Sequence, residues 1–319
     1  MREYCEESPP TLFNVVPSPR DDRDLNCDIL HDKSIRLPNT FDFKHKLNPA
    51  RNQGVQGTCG AQVAACMKEW QERKNDFFSG THMSPQFVYN LRANKDSLGM
   101  YGRDVMRILK NKGICEESVY PYGKIETSDD IDHGVIKAAE TFKIKGYARI
   151  YKIDTLKRAL IMNGPCYISF PVYNLTSRMW IQHEGEKKLG GHAMTVVGYD
   201  KKSFIIRNSW GRFWENDGYC SYPFEDWGSH YEVWSAVDEM TDQPIPSRNP
   251  FRLLYRYLTK KTKKPKPIPP KTTTTTTPEE VLPAVENIED IYEAKPNESG
   301  TENVEGENPN SNPPPPPSE

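Results

Sequence analysis

Apolar residues in the first half of the chain recur at the spacing of helices. After Cys59 they follow the i, i+3, i+4 pattern of one helix face and fall at Val63, Cys66, Met67 and Trp70. The residues before Cys59 are polar and rich in glycine, so the change of pattern predicts that this cysteine lies where a loop becomes a helix. Two later stretches also have helical spacing: SPQFVYNLRAN from Ser84, and GRDVMRILKNKG, which stops at Gly113.

The second half of the folded region reads as short strands. Clusters of glycine, proline and aspartate divide its apolar runs, which are GPCYISFPVY, HAMTVVGY, SFIIRNSW and SHYEVWSAV. Helices first and strands later favour an α+β fold in which two halves face each other. The same patterns place the folded domain at residues 37–238.

The stretch GGHAMTVVGYDKKSFIIRNSWG predicts a hairpin. If residues 200–202 form a three-residue loop, the two residue numbers of each cross-strand pair add up to 402. His192 then faces Trp210, and Asn208 lies two residues before Trp210 on the same strand. Residues two apart on a strand point to the same side, and diagonal neighbours lie about 7–8 Å apart. The hairpin is therefore expected to bring His192, Asn208 and Trp210 to one face, with the Asn208 amide within reach of the imidazole.

The two ends of the chain differ in composition from its centre. Residues 239–319 contain 16 of the 27 prolines and a run of six threonines. They also hold seven basic residues between Arg256 and Lys271 and eleven acidic residues after them. Such a segment buries too little apolar surface to offset its ordering entropy, which predicts a largely disordered tail. Residues 1–36 are rich in proline and charge, and they predict an N-terminal extension with little order.

Charge and cysteine content restrict the possible functions. The formal net charge of -2 gives no reason to expect a nucleic-acid partner. No stretch approaches 18 apolar residues, and the start, MREYCEESPPTLFNVV, lacks the features of a signal peptide. The seven cysteines include no CxxC pair, and the histidines show no paired metal spacing. A cytoplasmic protein is expected, without membrane association, metal or cofactor.

Cys59 has the setting of an activated nucleophile. The helix macrodipole is expected to lower the pKa of a thiol at the start of a helix. A histidine beside it would complete the thiolate–imidazolium pair used in covalent catalysis. An attacked carbonyl also needs hydrogen-bond donors where negative charge develops. The backbone N–H of Cys59 and the side-chain amide of Gln53, six residues earlier, are the candidates.

These motifs, in this order, resemble those of the papain-like cysteine peptidases. The motifs are Gln-x5-Cys before a helix, then GGHAMTVVGYD and then RNSWG. They place His192 133 positions after Cys59 and Asn208 16 positions after His192. LPNTFDF, MSPQFVYN, GICEESVYPY, NGPCYISFPVY and WENDGYCSYP resemble further segments of the family. The resemblance covers residues 37–238. Its QGxxGxC motif is similar to the bacterial and viral branch, which includes iridovirus-type members.

The resemblance implies a role for each candidate residue. Cys59 corresponds to the nucleophile, His192 to the general base and acid, and Asn208 to the residue that orients the imidazole. Gln53 corresponds to the oxyanion-hole amide, and Trp210 to the ring that shields the bond between asparagine and histidine. The implied fold has a helical lobe and a β-barrel-like lobe on either side of a peptide cleft. The implied activity is that of a thiol endopeptidase with a thioester intermediate.

Departures from the family pattern leave a second alignment open. Gly60 stands where the family has a tryptophan, and Gln56 replaces a half-cystine, which fits a reducing compartment. Laying QGTCGAQVA over the family's QGSCGSCWA would put Gln56 in the oxyanion hole and Gln62 at the nucleophile position, and such a protein would be inactive. The first register is preferred because it keeps the Gln-x5-Cys spacing and a nucleophile.

Two classes of function follow from the sequence. The first is a monomeric thiol endopeptidase that acts on proteins or peptides, in the cytoplasm or, if viral, in the virion or host cell. The second is an inactive papain-like scaffold that acts as an interaction protein through its tail. Only 36 residues precede Leu37, fewer than in the family's helical inhibitory prosegment. The enzyme is therefore expected to lack such a prosegment or to be controlled by other means. Gly99 and Gly102 are candidates to line the backbone of a bound substrate.

Overall fold

The structure, a computed structural model, describes residues 13–29, 36–74 and 81–238. Within these residues the chain forms five α-helices: α1 (Cys59–Lys74), α2 (Pro85–Asn90), α3 (Gly102–Asn111), α4 (His133–Glu140) and α5 (Ile153–Asn163). The same residues form the strands β1 (Phe41–Asp42), β2 (Gly146–Arg149), β3 (Cys166–Val172), β4 (Gly190–Tyr199), β5 (Ser203–Arg207), β6 (Tyr219–Pro223) and β7 (Glu232–Val237). Four of the helices precede every strand except β1, and the predicted α+β fold is confirmed.

Helix ends lie where the local chemistry favours them. Ser84 caps α2, because its Oγ accepts the N–H of Phe87 at 3.1 Å. Pro85 takes the first helical position, where a missing N–H leaves no hydrogen bond unmade. α3 ends at Asn111, and Gly113 follows with a φ of 81°, a left-handed conformation that glycine adopts without strain. The helix stop predicted at Gly113 is confirmed.

The strands form one antiparallel sheet in the order β2-β7-β3-β4-β5-β6, and β1 pairs with β4. β3 is buried along its whole length, and β4 is buried at every position after Gly190. Both strands are covered on two faces, which explains why their sequences are continuous apolar runs rather than alternating ones.

The turn between β4 and β5 differs from the predicted one. Tyr199 pairs with Phe204, whereas the sequence predicts a pairing with Ser203. The reason is the side chain of Asp200, whose Oδ1 accepts the N–H groups of Lys202 and Ser203, both at 2.7 Å. Asp200 therefore closes a four-residue loop, and the predicted register is wrong by one residue at this end of the hairpin.

A β-bulge at Val197 absorbs the extra residue. Beyond the bulge Thr195 pairs with Arg207, so paired positions again sum to the predicted 402. The longer loop and the bulge shift the pairing of the strands in opposite directions. Toward the end of the hairpin that carries His192, the two strands therefore have the predicted register.

Two hydrophobic clusters form the core of the described residues. One lies among α1 to α4 and contains Phe87, Met106 and Leu109. The other lies between the sheet and α5 and contains Leu160 and Phe170. These clusters correspond to the helical and β-rich lobes that the sequence predicts.

Residues 13–24, here called the cleft segment, lie between the two lobes. Asn14 forms a parallel bridge with Gly191 of β4, and Val16 forms one with Tyr101 at the start of α3. Val15 is 5% exposed and joins the helical cluster. For residues 13–29 the expectation of little order is wrong, because backbone pairing and apolar burial together hold them on the domain.

Two sequence predictions fall partly or wholly outside the described residues. The predicted disordered tail, 239–319, lies outside them, as does the first part of the N-terminal extension. Among the helices that the structure describes, none has the length and apolar composition needed to cross a membrane.

Candidate active site

Cys59 is the first residue of α1, as the sequence predicts, and is 1% exposed. The backbone groups of Ala193 and Gly60 lie close enough to the thiol to lower its pKa, although burial raises that pKa more. Ala193 follows His192 on β4, so the start of α1 lies against the strand that carries the histidine. Cys59 and His192 are 133 positions apart in sequence.

The imidazole of His192 is fixed by Asn208. Its Nε2 donates to Oδ1 of Asn208 at 2.7 Å, and the same oxygen accepts the backbone N–H of Ser209 at 2.8 Å. His192 is 0% exposed. Its other nitrogen, Nδ1, has no hydrogen-bond partner among the described residues. The asparagine thus sets the tautomer in which Nδ1 carries no proton.

Trp210 covers the contact between these two side chains. Its ring centroid lies 4.7 Å from that of His192 at an interplanar angle of 35°, and the indole is 5% exposed. Phe13 of the cleft segment packs edge-on against both rings, at 6.3 Å from His192 and 5.8 Å from Trp210. The imidazole is therefore enclosed by aromatic rings on two sides, and water has no path to it.

Gln53 is held rigidly close to the Asn208 loop. Its Oε1 accepts the hydroxyl of Ser209 at 2.6 Å, and its backbone N–H donates to the Ser209 carbonyl at 2.8 Å. Its Nε2 donates one hydrogen to the carbonyl of Gln56 at 2.8 Å. An amide nitrogen carries two hydrogens, so one remains for a developing oxyanion.

Ser209 and Tyr122 are site residues that the sequence reasoning missed. Ser209 orients both Asn208 and Gln53, and its place inside the RNSWG motif could have drawn attention to it. Tyr122 donates its hydroxyl to the Gln53 carbonyl at 2.7 Å and shares a second contact of 2.7 Å with Thr58 Oγ1. Tyr122 is 69 residues from Gln53, and no local pattern indicates their contact.

Burial keeps both reactive groups neutral in this structure. It raises the pKa of the Cys59 thiol to about 11, and hydrogen bonds to the Ala193 and Gly60 backbone lower it only in part. Burial likewise lowers the pKa of His192 to about 4, although the hydrogen bond to Asn208 favours its charged form. The lowered thiol pKa expected from the helix macrodipole is not found, because desolvation outweighs the dipole in a covered site.

Gln62, the nucleophile position of the alternative alignment, lies one turn further along α1. Its amide is 7% exposed and lines a cavity of about 20 Å³ together with Cys66, Arg207 and Asn208. The first residue of α1 is Cys59 and not Gln62, which agrees with the helix start expected in the preferred register.

The cleft segment lies directly on the candidate site. A Cβ on Gly99 would lie 1.6 Å from the carbonyl oxygen of Asn14, and one on Gly190 would lie 1.8 Å from that of Phe13. Val15 also forms a backbone hydrogen bond with β4, in which its N–H donates to the Gly191 carbonyl at 3.0 Å. Gly99 therefore lies against the backbone of the chain's own cleft segment.

The family model described as papain family cysteine protease matches residues 37–229. The chain belongs to this family. Among the similar proteins is a peptidase C1-like protein, L477, of Acanthamoeba polyphaga mimivirus, 26% identical over 226 residues and covering 62% of this chain and 72% of the relative. Cathepsin K of Mus musculus is 32% identical over 203 residues, and the match covers 58% of this chain and 59% of that protein.

Solved structures show the same architecture. The cysteine protease xylellain of Xylella fastidiosa superposes with a TM-score of 0.62 at 25% identity, covering 73% of this chain and 98% of that chain. A procathepsin B from Trypanosoma congolense superposes with a TM-score of 0.57 at 16% identity, covering 72% of this chain and 87% of that chain. The family and the two-lobed papain-like fold predicted from the sequence are confirmed, and the protein is a cysteine peptidase by family.

Proposed function

We propose that the protein is an endopeptidase whose catalytic triad is Cys59, His192 and Asn208. The observation that carries the proposal is the bond of 2.7 Å from His192 Nε2 to Asn208 Oδ1, which leaves Nδ1 without a partner among the described residues. Membership of the papain family supports a hydrolase that acts on proteins. Beyond family membership, we propose which three residues form the triad and that they are able to react.

Each step of the reaction has a residue in place. Nδ1 of His192 takes the thiol proton, and the Cys59 thiolate attacks the peptide carbonyl carbon. The resulting imidazolium gives its proton to the leaving amine as the C–N bond breaks, which leaves a thioester. A water molecule, deprotonated by His192, then attacks the thioester and releases the acid and the thiol. Asn208 holds the ring in one orientation throughout.

Gln53 and the Cys59 backbone N–H would stabilise the oxyanion. Both are donors, and Gln53 is fixed by Ser209 and Gln56 before any substrate arrives. Donors that are already oriented need no reorganisation when charge develops, and removing one such donor costs about 10²–10³ in kcat. Trp210 would keep water from competing for the bond between His192 and Asn208.

The activity that we propose is blocked while the cleft segment is in place. Cys59 and His192 are 1% and 0% exposed, and their pKa values favour the neutral pair rather than the ion pair. Displacing the segment would hydrate both groups and allow the thiolate–imidazolium pair to form. In this proposal the cleft segment controls access to the candidate site.

Hydrolysis of an unfolded protein substrate tests the proposal. In a chain opened by Val15→Asp, Cys59→Ala is expected to abolish hydrolysis, whereas Cys66→Ala, which changes a buried thiol on the same helix, should leave it intact. Full activity of Cys59→Ala would contradict the assignment of Cys59 as the nucleophile. Inactivity of the unsubstituted chain even after the cleft segment is displaced would favour the interaction-protein class.

A further inference from the structure

Ser18 of the cleft segment occupies a small pocket whose floor is the carboxylate of Glu232. Oε1 of Glu232 accepts the Ser18 hydroxyl at 3.0 Å and the Ser18 backbone N–H at 3.2 Å. Its other oxygen accepts the indole N–H of Trp234 at 3.0 Å. Ser18 is 8% exposed and Glu232 1%, so these contacts are made out of water.

The same pocket also contains a hydrogen-bond donor. The backbone N–H of Arg103, in the first turn of α3, donates to the Ser18 hydroxyl oxygen at 3.0 Å. Tyr101, at the N-cap of α3, makes no side-chain capping bond, so the helix start is satisfied by groups from elsewhere. The N–H of Gly102 is taken by Glu232 at 3.1 Å. In any group that fills this pocket, one atom must therefore donate a hydrogen bond to the Glu232 carboxylate and accept one from the backbone N–H of Arg103.

The pocket is also narrow. A Cβ on Gly102 would lie 2.7 Å from Oε1 of Glu232 and 2.8 Å from the ring of Tyr167, so the carboxylate is pressed against the helix start. Gly102 thus faces Glu232 rather than the backbone of a bound peptide. A hydroxyl group matches both the size of the pocket and its paired donor and acceptor, because one oxygen can do both.

Neighbouring charges argue against the other polar side chains. The guanidinium groups of Arg103 and Arg149 lie 5.9 and 5.6 Å from the Trp234 ring, beside the pocket. Arg103 is paired with Asp24 of the cleft segment at 2.7 and 2.8 Å. A bound peptide without an acidic residue at the place of Asp24 would leave the Arg103 guanidinium unpaired beside the pocket. The charge of that guanidinium disfavours a lysine or arginine side chain in the pocket. A carboxylate would face Glu232 directly and be repelled.

We propose that Glu232 and the amino end of α3 form a recognition pocket for a serine or threonine side chain. In the resting chain the pocket holds Ser18 and so helps to keep the cleft closed. Once the segment leaves, the pocket selects hydroxyl-bearing residues in the peptides that replace it. The second statement rests on the proposed function, because only a working cleft receives substrates.

Peptide binding to an opened chain tests the pocket without requiring catalysis. The receptor is the full chain carrying Val15→Asp, which places a charge at a buried position of the segment and leaves the pocket residues unchanged. The ligand is a fluorescein-labelled peptide with the sequence of residues 13–24, and its anisotropy is measured. Replacing its serine by alanine should weaken binding about tenfold or more, because a hydrogen bond to a charged group is lost.

Matched changes distinguish the hydroxyl from size and shape. Peptides with threonine at this position should bind, whereas valine, which has the same shape, and aspartate should not. Glu232→Gln in the receptor should reduce the preference for serine over alanine to about threefold or less. Equal binding of the threonine and valine peptides would overturn the proposal, as would a preference that survives Glu232→Gln.

Binding and catalysis are separated by repeating the titration with Cys59→Ala added to the receptor. The pocket predicts the same order of peptides in that chain. A discriminating pocket in a chain that never hydrolyses peptides would contradict the proposed function alone. Hydrolysis without discrimination between these peptides would contradict the pocket alone.

Discussion

His192 Nε2 and Asn208 Oδ1 are joined at 2.7 Å although the turn connecting their strands is one residue longer than its sequence indicates. The β-bulge at Val197 compensates for the longer turn. The geometry of the pair therefore depends on two irregularities of opposite effect, and a change at either one would move the amide away from the imidazole.

His192→Ala and Asn208→Ala should differ in severity. The first removes the base, the acid and the partner of the thiolate, and general acid–base catalysis alone contributes about 10²–10⁴-fold. The second removes one hydrogen bond to a ring that Trp210 still packs against, and should cost about 5- to 150-fold. The measurement is kcat/KM of both variants in a chain opened by Val15→Asp. Equal losses would show that Asn208 does more than orient the ring.

Val15→Asp should expose the reactive thiol. Val15 is 5% exposed, and a charge there cannot be buried without a partner, so the cleft segment is expected to leave the cleft. Val16→Asp is the matched control, because Val16 is 36% exposed and the substitution leaves the buried Val15 unchanged. The rate of Cys59 alkylation by a small thiol reagent should rise by about tenfold or more in the first variant only.

The pH dependence of the same alkylation reports the thiol pKa. With the segment in place burial raises this pKa to about 11, so the rate should still be rising at pH 10. Opening the cleft removes desolvation, and the rate of the Val15→Asp chain should level off at a lower pH. Identical profiles in the two chains would show that the segment does not control the protonation of Cys59.

Acid should destabilise the folded chain through His192. Its pKa falls from 6.5 to about 4 on burial, so between these values the unfolded chain binds the additional proton and stability falls as the pH falls. The shift corresponds to about 3 kcal/mol at most, fully lost once the pH is below 4. His192→Gln should flatten the dependence of the free energy of unfolding on pH in this window. The exposed His45 provides the control, since His45→Gln should leave the slope unchanged.

The sequence predicts the site where the information is local. The position of Cys59 follows from one helical period, and that of His192 relative to Asn208 from one hairpin. The contact of Tyr122 with Gln53 and that of Ser18 with Glu232 span 69 and 214 residues and leave no periodic signal. The pKa of the Cys59 thiol could not be predicted for a similar reason, because it depends on how deeply the fold buries the thiol, and no local pattern indicates that burial.

A chain that ends at Asp238 should fold and keep its activity. Asp238 is the last described residue, and its carboxylate pairs at 2.8 Å with Lys68, which is 0% exposed and also pairs with Glu72 at 2.7 Å. Ending the chain at Val237 removes one of these two partners and should lower stability by roughly 1–3 kcal/mol. Thermal melting of chains ending at 237, 238 and 260 measures this. A large loss at 238 relative to 260 would place part of the fold beyond the predicted boundary.

The most direct test of the central claim is covalent labelling by an epoxysuccinyl peptide, followed by mass mapping of the modified residue. In the full chain carrying Val15→Asp, the account predicts one label per chain, on Cys59, and none in Cys59→Ala or His192→Ala. Cys66→Ala should be labelled normally. Absence of labelling in the opened chain, or a label on any other cysteine, would contradict the assignment of Cys59 as the nucleophile.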